Sequence, residues 1–168
     1  EKEEQEEFLK FLERNRKRSS RKDGENHPKT LAKANQLAMA LHDLCRYDDA
    51  EPLYRQVLEG CRGRLGDFHP YTLTSQSNLA EMLFECFDFP EAEKLFRSAL
   101  EGRRELLGER HLDTLMTTNS LALLLEKMGR FGEAEPLFRA VYEGHKAQLG
   151  KRNPCTLQSA MNLACLTQ

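Results

Sequence analysis

The chain repeats itself every 42 residues. "KDGENHPKTL" (22–31), "RLGDFHPYTL" (64–73), "LLGERHLDTL" (106–115) and "QLGKRNPCTL" (148–157) follow one another at that spacing. Laid over each other without gaps, 27–68 and 69–110 agree at 17 of 42 positions, and 69–110 and 111–152 at 18. A period of this length confines the chain to stacked supersecondary units, none of which can bury its apolar side alone. It also bears on His27, His69 and His111. A catalytic base is a single event in a chain, whereas these three recur and Asn153 takes the fourth place. An amide can replace an imidazole at a helix N-cap but not in proton transfer.

One block reads as two helices. In 69–110, Leu73, Leu79, Ala80 and Leu83 recur at helical spacing, with Met82 beside them. Helix A is expected over about 70–86, with His69 as N-cap and Pro70 in the first helical position, where a missing N–H costs nothing. Asp88 and Phe89 make a turn. Pro90 starts helix B, with Glu91 and Glu93 near its positive end. Helix B carries Ala92, Leu95, Phe96, Ala99 and Leu100 and ends at Gly108, expected as a left-handed cap. Alanine recurs at 38, 80, 122 and 164 and at 50, 92 and 134, which predicts close helix crossings. The rings of Tyr47, Phe89 and Phe131, and of Tyr54, Phe96 and Phe138, are expected to fill space over the facing helix A. Gly129 sits at the A-to-B turn of the third block, where Cys45 and Phe87 stand in the first two, so a slightly different turn is expected there. Glu51, Glu93 and Glu135 precede Arg55, Arg97 and Arg139 by four residues, a favourable helical pair of about 0.2–0.5 kcal/mol.

The remaining chemistry is mostly exclusion. Net charge is −2, so nothing calls for nucleic acid. No apolar run approaches the roughly 20 residues of a membrane span. The charged start is no signal peptide, and without a methionine it reads as part of a longer or processed chain. Five cysteines (45, 61, 86, 155, 165) lack metal spacing and read as free, mostly buried thiols of a reducing intracellular compartment, cytoplasmic by default. There is no nucleotide loop, serine elbow, HExxH or cleft-forming carboxylate pair. The expectation is therefore no enzyme, no metal and no cofactor. His42 and His145, each single, read as surface or groove residues.

"NLAEMLFECFDFPEAEKLFRSALE" (78–101) resembles a tetratricopeptide repeat: Ala80 in mid helix A, Phe89 at the turn, then Ala92, Phe96 and Ala99 along helix B. Phe87 departs from the family's glycine. The 42-residue period, with "HPxT" opening a block and "LG" closing it, is similar to the kinesin-light-chain type of this repeat. The resemblance covers 27–168 and implies an all-α, right-handed superhelical solenoid of antiparallel helix pairs. Three full repeats, 27–68, 69–110 and 111–152, are expected. A partial unit lies at each end: a charged helix or arm over 1–26, read as a degenerate helix B, and helix A of a fourth repeat over 153–168.

The resemblance also implies a function, holding an extended segment of another protein in a concave groove lined by the A helices. Aligned columns place Asn35, Ser77 and Asn119, then Gln36, Asn78, Ser120 and Asn162, on that face. One turn on come Met39, Glu81 and Leu123, with Phe84 beyond. No lysine or arginine occupies these columns, unlike family members that clamp a carboxylate. A second reading is an accessory subunit of a large assembly, docking through its ends and convex face. The open apolar side of 153–168 would then be covered by more chain or by another subunit. Arg14, Arg16, Lys17, Arg18, Arg21 and Lys22 form either an arm for an acidic partner or a solvated helix face, since 1–26 sums to zero charge.

Overall fold

The computed structural model describes residues 2–166; the outermost residues of the two expected partial units, Glu1, Thr167 and Gln168, lie outside the described residues. Among the described residues there are eight helices and no strand: α1 (Lys2–Asp23), α2 (Pro28–Asp43), α3 (Tyr47–Leu65), α4 (Pro70–Glu85), α5 (Phe89–Leu107), α6 (Leu112–Lys127), α7 (Phe131–Leu149) and α8 (Pro154–Cys165). They form two compact units, 1–82 and 83–168. In the first, α1 packs on α2 and α2 on α3; in the second, α5 packs on α6, α6 on α7 and α7 on α8.

The recurring stretch is a linker with a fixed job at each atom. Nδ1 of His27, His69 and His111 accepts the N–H of Lys29, Tyr71 and Asp113 at 3.2–3.3 Å, and Oδ1 of Asn153 accepts that of Cys155 at 2.9 Å. The threonine of each "T-L" pair (30, 72, 114, 156) is buried. Thr72 and Thr156 donate to the carbonyls of Gly66 and Gly150, both at 2.8 Å, and so tie the end of one helix to the start of the next.

Two backbone expectations are corrected. The closing glycines are not in the left-handed helical region: Gly66, Gly108 and Gly150 have φ 83–88° with ψ 162–168°. This is the mirror of extended backbone, essentially closed to other residues. It sends the chain straight out of the helix toward the next cap. The A-to-B turn is the same in all three blocks rather than different. Cys45, Phe87 and Gly129 have φ 56°, 63° and 74°. Each is followed by a six-residue closing bond, Arg46 N to Leu41 O, Asp88 N to Leu83 O and Arg130 N to Leu125 O, at 2.8–2.9 Å. The packing around the turn overrides the preference of the residue placed there.

Packing also sorts the expected columns. Ala38, Ala80 and Ala122, and Ala50, Ala92 and Ala134, are wholly buried, whereas Ala164 of α8 is exposed. Tyr54, Phe96 and Phe138 are at most 2 % exposed; in the other ring column Tyr47 and Phe89 are half-buried beside His42 and Phe84 of helix A, whereas Phe131 at the start of α7 is 55 % exposed. Glycine also marks tight places between helix A and helix B. A Cβ on Gly60 would lie 2.7 Å from Leu31 Cδ2, and one on Gly144 2.6 Å from Leu115 Cδ1. Of the five cysteines, expected to be mostly buried, only Cys61 is; Cys45, Cys86, Cys155 and Cys165 are exposed, because they fall at turns and outer helix faces.

Candidate partner-binding surface

In the first unit, Asn35 and Gln36 of α2 and Asn78 of α4 line a cleft of about 460 Å³. Its floor is Leu31, Val57, Gly60 and Cys61. The glycine column thus has a second effect: without a side chain at 60, the floor stays low. Asn78 Nδ2 donates to Asn35 Oδ1 at 3.2 Å, and Asn35 Nδ2 approaches Met39 Sδ at 3.4 Å. Gln36, Met39 and Glu81 are exposed. Ser77 leaves the surface, being 7 % exposed with its hydroxyl donated to Leu73 O at 3.1 Å inside its own helix.

In the second unit the same pairing returns, Asn162 Nδ2 donating to Asn119 Oδ1 at 3.1 Å. Asn119, Ser120, Leu123 and Asn162 are half-buried. Phe84 is half-buried as well, its ring 5.9 Å from that of Phe89. His42 stands 5.6 Å from Tyr47 by ring centres, and His145 Nδ1 meets Ser159 Oγ at 3.4 Å. Both histidines are packing residues, not an isolated base.

Column reasoning missed part of the first cleft. Arg64, Leu65 and Tyr71 line it, from the end of α3 and the first turn of α4. They were invisible because only mid-helix A positions were aligned across the blocks. Arg64 places a cation beside a groove expected to have none.

The basic run divides. Arg16 is half-buried and bidentate to Glu13 at 3.0 and 3.1 Å. That bond holds the guanidinium above and the carboxylate below their ordinary pKa, against the opposing effect of burial. Arg16 is thus engaged within its own helix. Arg14, Lys17, Arg18, Arg21 and Lys22 are exposed along one face of α1, Lys17 also reaching Glu13 at 3.1 Å.

On the outer side of the second unit, Glu93 receives Arg97 at 2.8 Å and Arg130 at 2.7 Å, and both arginines also bond Glu133. Burial pushes the Glu93 carboxyl up, but the two guanidiniums together outweigh it and hold the pKa below its ordinary value. The helical pairs Glu51–Arg55, Glu93–Arg97 and Glu135–Arg139 form at 2.6–2.8 Å. The link from α5 to α7 could not be read from spacing along one helix. Among the described residues no group of three His, Cys, Asp or Glu is placed to hold a metal, and no helix is long and apolar enough to cross a membrane.

The repeated cap, turn and crossing agree with the comparison to known families. Residues 29–105 and 71–147 each match the model of the tetratricopeptide repeat. The chain belongs to the tetratricopeptide-repeat family. It is similar to a kinesin-light-chain-type protein of Podosopora anserina with nearly identical tetratricopeptide-like repeats. Identity is 26 %, TM-score 0.87, over 98 % of this chain and 77 % of that one. Two further structures share the fold. One is BtubC (BKLC) of P. vanneervenii, with 20 % identity and TM-score 0.79 over 96 % of this chain and 65 % of that one. The other is the apo form of RapI, with 16 % identity and TM-score 0.65 over 95 % and 58 %. Comparison with curated proteins gives no match. The chain is thus an all-α tetratricopeptide-repeat protein of the kinesin-light-chain-like type, a class whose members serve in general as protein-interaction scaffolds rather than catalysts.

Proposed function

We propose that this tetratricopeptide-repeat chain is a non-enzymatic scaffold that holds an extended segment of another protein against its A helices. The observation that carries this reading is the cleft between α2 and the first turns of α4, with its apolar floor and the paired amides of Asn35 and Asn78 at its edge. The Asn35–Asn78 bond uses one donor of one amide and one acceptor of the other. Each carboxamide has two N–H groups and two lone pairs, so both keep capacity for a peptide main chain. An extended segment offers N–H and C=O groups at alternate positions, and every second side chain would reach the floor. Apolar side chains gain about 25 cal/mol per Å² there. Arg64 would meet an acidic residue of the segment. In the second unit Asn119 and Asn162, with Ser120 and Leu123 beside them, supply a similar amide edge.

The test is a peptide library panned on the whole chain. Recovered peptides should bind wild type and lose at least tenfold in affinity to the Asn35→Ala, Asn78→Ala double variant, about 1.4 kcal/mol. Peptides indifferent to that variant, with its helix content intact, would remove the cleft from function.

One observation favours an accessory-subunit reading instead. α8 presents Leu157 at 53 % and Met161 at 62 % exposure. A subunit docking there, or further chain, would cover both. Leu157→Glu with Met161→Glu would then abolish assembly while the amide variant left it untouched.

A further inference from the structure

The outer face of α1 is not prepared for another repeat. Aligned on the cap glycines Gly24 and Gly66, Phe8 and Arg18 stand where α3 has Ala50 and Gly60. In the first unit the facing helix A comes so close that even a Cβ on Gly60 would lie 2.7 Å from Leu31. An arginine in that place cannot receive a helix A in the same register. Phe8 and Phe11 are 55 % and 56 % exposed.

The same face has an ordered charge pattern. Glu4, Glu7, Phe11, Arg14, Arg18 and Arg21 are all exposed. Their spacing alternates three and four residues, so they form one stripe along the helix. From its N-terminal end the stripe reads acid, acid, aromatic, cation, cation, cation. Reversed, it is its own complement. Residues 14–22 hold six cations and no acid, against a whole-chain charge of −2.

We propose that a second copy of this chain docks along α1, antiparallel, about the point between Leu12 and Glu13. In that register Glu4 lies opposite Arg21 of the second copy, Glu7 opposite its Arg18, and Phe11 opposite its Arg14. Two-fold symmetry makes each contact twice. The interface then holds four carboxylate–guanidinium pairs and two guanidiniums over aromatic rings, along about 26 Å of helix. Glu7 at present bonds Lys10 at 3.0 Å in an exposed pair, the kind that is readily exchanged. Charge order selects this occupant over others. RNA or an anionic membrane drawn to Arg14, Arg18 and Arg21 would meet like charge at Glu4 and Glu7, and so would a uniformly acidic peptide. A ligand with the reversed order satisfies both halves, and this chain carries one.

Sedimentation velocity on the whole chain tests it. Wild type should dimerise with rising concentration at 0.1 M NaCl. The dissociation constant should rise about tenfold or more at 1 M, where the screening length falls from about 10 to about 3 Å. The Glu4→Arg, Glu7→Arg variant and the Arg18→Glu, Arg21→Glu variant should each remain monomeric where wild type is half dimeric, and their equimolar mixture should dimerise. Circular dichroism checks that both remain helical. A wild type that stays monomeric at 0.1 M NaCl overturns the proposal, whether or not it binds polyglutamate or phosphatidylserine vesicles. So does a dimer that ignores both variants, or a mixture that stays monomeric.

Discussion

Phe87 occupies a backbone conformation that its side chain opposes. Its φ is 63°, and Gly129 holds the corresponding turn in the next block at φ 74°. For an L-residue the left-handed helical region costs about 1–2 kcal/mol, from the approach of Cβ to the following carbonyl. Replacing Phe87 by glycine removes that strain. Against the gain stands the larger freedom a glycine loses on folding, about 0.5–1 kcal/mol. The phenyl ring adds little, being 78 % exposed and touching the edge of Phe89 at 5.9 Å. Phe87→Gly should therefore stabilise the chain by about 0.5–1 kcal/mol, the difference of the two backbone effects. In urea, with a slope of about 1–3 kcal/mol/M, that is a rise in midpoint of roughly 0.2–1 M. Gly129→Ala is the mirror experiment and should lower the midpoint, since it puts a Cβ where none now is. A fall in stability for Phe87→Gly, with the slope unchanged, would refute the reasoning. The exposed ring would then be contributing more than the backbone strain costs.

Gly60→Ala drives a Cβ to 2.7 Å from Leu31 and should cost about 1–3 kcal/mol by overpacking. Gly63→Ala, three residues on with nothing within 4 Å, should stabilise by up to about 1 kcal/mol. Denaturation midpoints check both. His69→Ala removes the acceptor of the Tyr71 N–H and should cost about 1 kcal/mol, whereas His69→Asn should be nearly silent. The Glu93 carboxyl is held below its ordinary pKa of 4.5. Its contribution is complete above that value and disappears as pH falls through the lowered one. Glu93→Gln should be less stable than wild type at pH 7, and the difference should close in acid, as followed by thermal unfolding at several pH values.

The fold was legible because repetition multiplies weak signals. One "HP" before an apolar helix is a modest cap signal. The same pair at one spacing, with Asn153 in the fourth place, leaves few alternatives. What stayed illegible has physical causes. The ψ of Gly66, Gly108 and Gly150 depends on where the next cap must go, not on the glycine. The sequence separates Phe87 from Gly129 by chemistry, while the closing bonds to Leu83 and Leu125 place them alike. Gly60 and Gly144 recur as well, but nothing along the sequence shows that the leucine of the facing helix A leaves no room for a Cβ there. The amides of the candidate site were found because they recur on one helix. Arg64, Leu65 and Tyr71 were missed because a cleft is walled by several elements, and no periodicity along one helix reveals the others.

The repeats also show where partner chemistry can reside. Among the residues that return in every full block, Thr72, Leu73, Leu79, Ala80, Ala92 and Gly102 are buried, Glu93 and Arg97 pair along their own helix, and the returning histidine caps a helix. A residue that serves the same packing role in each unit carries no information about a partner. The address must lie where the blocks differ while the backbone does not. Asn35, Ser77 and Asn119 share one backbone position, yet two are half-buried amides and one is a buried hydroxyl turned into its own helix. Phe8 in α1 stands at a position that is Ala50, Ala92 and Ala134 in the full repeats; Arg18 stands at one that is Gly60, Gly102 and Gly144. At these places the repeat gives up its own packing rule. The side chains gained are charged or aromatic and reach solvent. Departures from the period at constant backbone are therefore the places to which both proposals point: the amide edges of α2, α4, α6 and α8, and the outer stripe of α1.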